Sequence, residues 1–309
     1  MAQTGAVGDK IFRSILLIAA ASILLIVAAI FYMMVQNSIP TLERFGFGFL
    51  IGSEWKPAQE GFGALPFIYG TVVSSIIALV LAVPVSLGIA IFLVEQAPQK
   101  IARPIAFMVE LLAAIPSVVY GLWGIFVLAP FIRNYLGVFL KDYFGWISLF
   151  QGRLTGIGML TAGIILAIMI MPIITAVVRD VLEAVPSTQR EAALALGATK
   201  WETTSIVLGN AVSGIAGAVV LGLGRAIGET MAVTMVIGNS PQISASLFEP
   251  ANTIASLLAA NFAEATDRIY LSALIEIGLV LFLVTFVVNA LAKLLILSVT
   301  SDTSGGRPA

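Results

Sequence analysis

The stretch VPSTQREAALALGATKWETTSIVLG, residues 185–209, separates two long apolar runs and decides how the chain folds. Strong helix formers occupy residues 191–196, and Gly197 follows them where a glycine often ends a helix. Beyond Gly197 the sequence returns to helix formers that lead into the next apolar run. The stretch therefore predicts a short helix, a glycine elbow and a second, long helix.

Two Thr-x-x-Glu pairs predict where these helices start. Thr188 with Glu191, and Thr199 with Glu202, have the spacing of capping boxes, in which the hydroxyl accepts a backbone N–H and the carboxylate reaches back to the cap. The short helix also carries apolar residues that must be buried against another surface. Its balanced charge favours a protein partner over a bilayer surface, because surface helices are rich in lysine and arginine.

The composition around this stretch is that of an integral membrane protein. Of the 309 residues, 59% are hydrophobic and only 11% are charged, whereas soluble domains carry about 25% charged residues. The chain has no cysteine and no histidine, which excludes thiol chemistry, disulfides and histidine-based zinc sites. We therefore expect no metal site, no cofactor and, at a net charge of −1, no nucleic-acid partner.

Six apolar runs are long enough to cross a bilayer, which needs about 20 residues per helix. We predict an all-α, polytopic membrane protein with spans at residues 15–35, 67–94, 104–132, 154–178, 206–237 and 269–297. The first run is too long for the core of a cleavable signal peptide, so we interpret it as a span.

Six spans place both termini on one side of the membrane, and the basic residues indicate which side. With both termini in the cytoplasm, the inner segments hold nine Lys and Arg residues and the outer segments hold six. The inner set is Lys10, Arg13, Lys100, Arg103, Arg179, Arg190, Lys200, Lys293 and Arg307, and the outer set is Arg44, Lys56, Arg133, Lys141, Arg153 and Arg268. The positive-inside rule therefore favours cytoplasmic termini.

A second informative stretch, GLGRAIGETMAV at residues 222–233, places Arg225 and Glu229 inside the fifth apolar run. An arginine at the bilayer centre costs about 2.5–3.5 kcal/mol, and residues four apart share one helix face. The two residues form either an internal ion pair or an oxyanion site on a transport path, since a guanidinium matches phosphate oxygens. The pattern Gly224-x-x-x-Gly228 predicts the close approach of another helix, from this chain or from a partner.

Other polar or helix-breaking residues interrupt the remaining runs. Pro116 and Ser117 break the third run, and freed backbone at membrane depth is tolerated only against protein or a cavity. Both are therefore candidate residues of a transport pathway. Glu110 and Glu276 are further acids at membrane depth, and we expect each to tie helices together through hydrogen bonds.

Residues 185–209 resemble the EAA loop of ABC importer permeases. That loop has EAA, three further residues and a glycine, which here are Glu191, Ala192, Ala193 and Gly197. In that family the loop forms the coupling helix that sits in a cleft of the cytoplasmic ATPase. The family pattern continues with nine residues and I-x-L-P, whereas this chain has eight residues and then IVLG at 206–209. A glycine permits a bend there but does not impose one.

Three further stretches resemble the PstC-type permease family of phosphate ABC importers: AAIPSVVYGLWGIFV at 113–127, LGLGRAIGETMAVTMVIGN at 221–239 and LFLVTFVVNALAK at 281–293. The resemblance implies a type I ABC importer (MetI-like) permease fold and a transport role for Arg225 and Glu229. It also implies a heterodimer with a PstA-type permease, two PstB-type ATPase subunits and an extracytoplasmic phosphate-binding protein. The sequence has no Walker motif, so ATP hydrolysis is expected on a separate subunit.

The sequence as a whole thus predicts a non-enzymatic, lipid-embedded phosphate permease of the plasma (inner) membrane. The expected divisions are residues 1–65 with the first span and an outer loop, 66–300 as permease core with the coupling loop at 187–209, and 301–309 as a tail. A permease for another oxyanion, molybdate or sulfate, is the alternative within the class. A secondary transporter or channel is the alternative from another class, although the internal repeats typical of secondary transporters are not evident.

Overall fold

The computed structural model describes the backbone of residues 2–304 and the side chains of residues 8, 9 and 11–294. The side chains of Lys10 and Arg307, two of the inner basic residues, and residues 305–309 of the predicted tail lie outside this description. Within the described range the chain is helical, with no strand beyond an isolated bridge between Lys56 and Gly61. The prediction of an all-α protein is confirmed.

The helices in chain order are α1 (Ala2–Phe45), α2 (Gly48–Ile51), α3 (Leu65–Ile91), α4 (Gln99–Ala113), α5 (Ser117–Trp123), α6 (Ala129–Phe131), α7 (Gly137–Phe144), α8 (Met159–Glu183), α9 (Ser187–Ala195), α10 (Lys200–Ile227), α11 (Met231–Val236), α12 (Ile254–Asn261) and α13 (Arg268–Ser304). Short 3-10 turns lie at Pro57–Gln59 and Ser148–Phe150, and π-helical turns lie at Phe92–Gln96, Gly124–Leu128 and Ile132–Leu136. The last two π-helical turns join α5, α6 and α7 into one continuous rod.

Six helical stretches are long and apolar enough to cross a membrane: Ile11–Phe45, Leu65–Gln96, Ser117–Phe144, Met159–Glu183, Lys200–Ile227 and Arg268–Leu294. The predicted number of spans is confirmed, but several predicted boundaries are wrong: the first span extends to Phe45 and the third to Phe144, and two further boundaries differ for a reason that the backbone shows. The third span begins at Ser117 rather than at residue 104, because Pro116 has no N–H to continue the preceding helix. The fifth span ends at Ile227 rather than at residue 237, because the backbone leaves the helix at Gly228.

Helix α8 is the centre of the bundle. Its sequence is apolar on all sides, as expected of a helix surrounded by others. Of the residues in its apolar stretch, 67% are buried. Helix α3 makes the most extensive contact with it, and α10 lies along another side. Glycines allow this closeness, since Gly163 of α8 receives Ile77 of α3, and Gly222 of α10 receives Ile174 of α8.

Helix α1 lies outside this bundle and packs against α13. The Ser272 hydroxyl donates to the carbonyl oxygen of Asn37 at 2.8 Å, which joins the two helices. The opposite side of α1 is uncovered: Ile18, Leu24 and Leu25 are each about 70% exposed. An apolar surface of this length suits hydrocarbon rather than water.

Residues 46–64 and α12 form a cap over one end of the bundle, built on a second apolar cluster. Phe49, Phe62 and Phe67 pack in this cluster with Leu257 of α12 and Leu274 of α13. Helix α12 lies between the fifth and sixth predicted spans, where no helix was predicted. The Thr253 hydroxyl accepts the Ser256 N–H at 3.1 Å, a capping box whose third position carries serine in place of the usual Glu or Gln.

The contact between α3 and the segment before α12 gives a test of the fold. A Cβ at Gly70 of α3 would overlap the carbonyl oxygen of Asn252, whereas a Cβ at Gly88 of the same helix would meet nothing within 4 Å. Gly70→Ala should lower the free energy of unfolding by about 1–3 kcal/mol through overpacking. Gly88→Ala should leave it unchanged or raise it, because alanine is the better helix former.

Thermal unfolding of the detergent-solubilised chain measures both variants. Equal stability of Gly70→Ala and Gly88→Ala would contradict the close approach of α3 and Asn252.

Candidate functional site

Arg225 and Glu229 lie on either side of a helix end. Helix α10 ends at Ile227, Gly228 leaves the helix, and α11 starts at Met231. The spacing predicted that both residues lie on one helix. The structure instead places them on either side of the helix end. They still form an ion pair, with Arg225 Nη2 and Glu229 Oε2 3.2 Å apart.

The two partners differ in exposure and in how firmly they are held. The Glu229 side chain is 3% exposed, and its Oε1 accepts the backbone N–H of Ala232 at 3.3 Å. That bond satisfies one of the free N–H groups at the start of α11. The Arg225 side chain is 49% exposed, and Glu229 is its one ion-pair partner among the described residues. The carboxylate is thus fixed, and the guanidinium keeps free N–H groups on its open side.

A cavity of about 520 Å³ lies beside the same helix break, between α1, α12 and α13. Gly228 and Thr230 form one wall, and Met33, Leu258 and Leu281 are among the residues opposite. Its lining is apolar almost throughout, so it offers no charge to a polar anion. A charged ligand therefore has its chemical partner only on the side where Arg225 is exposed.

Pro116 and Ser117 mark a second helix break, as predicted. Helix α4 ends at Ala113, and α5 starts at Ser117 with Pro116 as its cap residue. In an unbroken helix the N–H of residue 116 would bond to the carbonyl of Leu112, and proline has none. The Tyr120 hydroxyl donates to that carbonyl oxygen at 2.8 Å instead.

The two helix breaks lead into elements that pack together. Helix α5 lies against α11, where Gly121 of α5 faces Ala232 and Met235. Among the described residues, no hydrogen bond or ion pair joins Pro116 or Ser117 to the Arg225–Glu229 pair. The structure thus brings their elements together without bringing the side chains into contact.

The predicted glycine elbow is present between α9 and α10. Gly197 has φ +84°, its N–H bonds to the carbonyl of Leu194 at 3.0 Å, and the N–H of Ala198 bonds to that of Ala193 at 3.1 Å. These two bonds define a Schellman motif.

One of the two predicted capping boxes is correct. Thr199 and Glu202 form a capping box at the start of α10. The box at Thr188 is wrong, because α9 already starts at Ser187, after Pro186, and has no side-chain cap. Helix α10 then runs from Lys200 to Ile227 without interruption at Gly209.

Helix α9 has one covered face and one open face. Ala193 is buried at 6% exposure, and Gln189 Oε1 accepts a hydrogen bond from Asn210 Nδ2 at 2.8 Å. On the open face Glu191 and Ala192 are exposed. The larger apolar side chains there, or just beyond, are Leu194, Leu196 and Trp201, at 52%, 89% and 70% exposure.

The acids at membrane depth have different surroundings. Glu110 Oε1 accepts a hydrogen bond from Arg179 Nη1 of α8 at 3.0 Å, so its predicted role as a helix tie is confirmed. Glu276 is 4% exposed, and its Oε2 has no hydrogen-bond partner among the described residues. The prediction of a helix tie is wrong for Glu276, which borders an apolar groove with Leu42 and Phe47.

Sequence reasoning missed one pair that the structure places at the base of α9. Arg190 and Glu95 form a buried ion pair, 2.8 Å apart, that joins α9 to the π-helical turn Phe92–Gln96. The available signal was an acid at the end of one apolar run and an arginine directly before EAA. The two residues are far from each other in the sequence, and their pairing depends on how α3 and α8 pack.

The glycines of α10 face two ways. Gly222 and Gly214 lie against α8, where an added Cβ would meet Ile174 and Val181. Gly217 and Gly224 have nothing within 4 Å of an added Cβ. Gly224 therefore makes no close approach within this chain, which decides against an intrachain contact at that position.

Comparisons with known proteins agree with this architecture. Residues 82–300 match the family model described as "Binding-protein-dependent transport system inner membrane component". A protein of Mesorhizobium japonicum named phosphate transport system permease protein PstC is 46% identical over 96% of this chain and 93% of its own length. A PstC of Xylella fastidiosa is 46% identical over 94% and 91%, and a PstC 2 of Mycobacterium tuberculosis is 40% identical over 93% and 91%.

A solved structure shares the fold at low sequence identity. An inward-facing structure of the MetNI methionine ABC transporter has a chain that superposes with a TM-score of 0.53 at 16% identity, covering 74% of this chain and 94% of that one. The prediction of a MetI-like, type I ABC importer permease fold is confirmed. With six helices able to span a membrane and a family match over most of its length, the chain is a multi-pass membrane protein that belongs to the binding-protein-dependent transport system inner membrane components.

Proposed function

We propose that this chain is a transmembrane permease subunit of an ATP-driven importer of inorganic phosphate. The observation that carries the proposal is the half-exposed guanidinium of Arg225, which meets one buried carboxylate at a helix break within the bundle. Relatives at 40–46% identity that are named phosphate transport system permeases support it. Those names favour phosphate over molybdate or sulfate, and nothing favours a secondary transporter or a channel.

Arg225 would bind the passing anion through the N–H groups that Glu229 leaves free. A guanidinium carries five N–H donors and can bond two phosphate oxygens at once, while Glu229 pairs with it at Nη2. Glu229 is held by Ala232, so it stays in place when the anion arrives. Its negative charge competes with phosphate for Arg225 and keeps binding weak enough for release.

Pro116 and Ser117 would line the same pathway from the neighbouring helix break. Their element α5 packs against α11, which follows Glu229 directly. No main-chain N–H of residue 116 joins α5 to α4, because proline has none, and the Tyr120 hydroxyl bridges the break through its bond to the Leu112 carbonyl.

Helix α9 would couple this pathway to a separate ATPase subunit in the cytoplasm. Glu191 and Ala192 would sit in a cleft of the ATPase, while Ala193 holds the helix against the bundle and Gly197 sets the elbow. The exposed apolar side chains at the elbow support a protein partner. Both termini then lie in the cytoplasm, and closure of two ATPase subunits around ATP would move α9 and tilt the spans attached to it.

The open glycine face of α10 would receive a second permease subunit. Gly217 and Gly224 are seven residues apart, so they lie on one helix face, and an added Cβ at either would meet no described residue within 4 Å. Small residues allow two membrane helices to approach closely. Arg225 would then lie beside the subunit boundary, where a pathway between two permeases would run. An extracytoplasmic binding protein would deliver phosphate to the opposite end.

Replacing Arg225 tests the role of its guanidinium. Arg225→Gln should abolish phosphate uptake in cells that depend on this importer. Arg225→Lys should retain about a tenth or less of the uptake of the unmodified chain, because lysine lacks the planar fork of donors. Co-purification with the other subunits should be unchanged for both. Arg103→Gln, a change at an exposed arginine on α4, is the control. Normal uptake by Arg225→Gln would contradict the pathway role.

Enlarging Gly224 tests the subunit boundary. Gly224→Leu should leave the solubilised chain as stable as the unmodified one but prevent co-purification of the second permease, since the leucine projects from the open face. Gly88→Leu, which also meets open space on α3, should leave co-purification intact. Gly222→Leu should instead destabilise the chain itself through overlap with Ile174. A Gly224→Leu chain that still co-purifies with the second permease would place the boundary elsewhere.

A further inference from the structure

The guanidinium of Arg190 contacts three separate elements. Its Nε and Nη2 donate to Glu95 Oε1 at 3.1 and 2.8 Å. Its Nη1 donates to the carbonyl of Val185 at 2.6 Å, and its Nη2 also donates to that of Leu182 at 2.9 Å. The side chains of Arg190 and Glu95 are 21% and 9% exposed. This arginine, on α9, therefore bonds to the end of α8 and to the π-helical turn that follows α3.

Two of these acceptors, the Glu95 carboxylate and the Val185 carbonyl, have no other hydrogen-bond donor among the described residues, whereas the Leu182 carbonyl also accepts the N–H of Val185 at 3.3 Å. The last carbonyls of a helix have no intrahelical donor, and a cation near them is favoured by the helix dipole. Leu182 lies in the last turn of α8, and Val185 follows that turn directly. The buried carboxylate of Glu95 needs a countercharge, since a buried charge without a partner is costly. Removal of the guanidinium would leave the Glu95 carboxylate and the Val185 carbonyl unsatisfied.

We propose that Arg190 is the positioning residue that transmits movement of α9 to the cytoplasmic ends of α3 and α8. The inference rests on the proposed function, in which α9 is moved by an ATPase. A nine-residue helix does not hold its place without tertiary contacts. Its other side-chain tie, between Gln189 and Asn210, is exposed and reaches only α10.

The contacts continue from Arg190 to the pathway. Helices α3 and α8 form the most extensive contact of the bundle. Helix α8 in turn fits into the glycines of α10, with Ile174 against Gly222. Helix α10 ends three residues after Gly224, at the break that carries Arg225 and Glu229. Helix α9 also contacts α10 directly, and the bonds of Arg190 add a second route to the ion pair, through α8 and its glycine contacts with α10.

Only arginine suits this position. The acceptors on Glu95, Leu182 and Val185 lie around one planar group with donors along its edges. Lysine keeps the charge but presents three donors at one point, so it cannot serve all of these acceptors together. Arg190→Lys therefore separates the role of charge from the role of geometry.

The experiment uses the whole importer complex with Arg190→Lys or Glu95→Gln in this chain. Phosphate uptake per assembled complex should fall about tenfold or more in both variants, because each leaves buried polar groups unpaired. ATP hydrolysis and the amount of assembled complex should be unchanged. Glu95 lies on a different element from the proposed ATPase-facing residues of α9, so agreement between the two variants assigns the loss to their pairing. Arg103→Lys should transport normally.

Two outcomes would overturn the inference. One is uptake per complex equal to that of the unmodified chain in both variants. The other is a fall in assembled complex with uptake per complex unchanged, which is the result of a merely structural role.

A second readout separates this inference from the proposed function. Amide hydrogen exchange across residues 182–196 of the solubilised chain should be faster in Arg190→Lys than in the unmodified chain, and it requires no substrate. If the unmodified complex takes up no phosphate, the proposed function fails. The inference is then decided by exchange alone, and unchanged exchange would overturn it.

Discussion

A guanidinium on a membrane-spanning helix must have a partner, and the rest of the site follows from that constraint. Arg225 has Glu229, but the two meet only because α10 ends between them. The helix end frees backbone groups, and one of these, the Ala232 N–H, holds the carboxylate in place. A fixed anion beside a half-exposed cation gives a site that is neutral when empty and in which the guanidinium keeps N–H donors on its open side.

The same constraint explains how distant elements are arranged around the pair. Two further ion pairs join helices at the proposed cytoplasmic end of the bundle. Arg179 pairs with Glu110, and Arg190 pairs with Glu95. These pairs join α4, α8, α9 and the end of α3 into one body at the proposed cytoplasmic side. Close glycine contacts then continue that body into α10. Movement imposed at α9 can therefore reach Arg225 without a flexible link.

Much of the fold follows from local sequence. Long apolar runs predicted six spans, and the spacing around Gly197 predicted the elbow because a left-handed residue there favours glycine. Local patterns failed where tertiary packing decides. Thr188 has the spacing of a cap, yet Pro186 starts the helix earlier. The pairing of Arg190 with Glu95 depends on the packing of α3 and α8, which no short motif encodes.

The most direct test of the account is ATP-dependent uptake of radiolabelled phosphate by proteoliposomes that contain this chain with its partner subunits. The account predicts uptake that requires ATP, requires this chain and is displaced by unlabelled phosphate but not by equal concentrations of sulfate or molybdate. Uptake without ATP, or equal displacement by sulfate or molybdate, would contradict it.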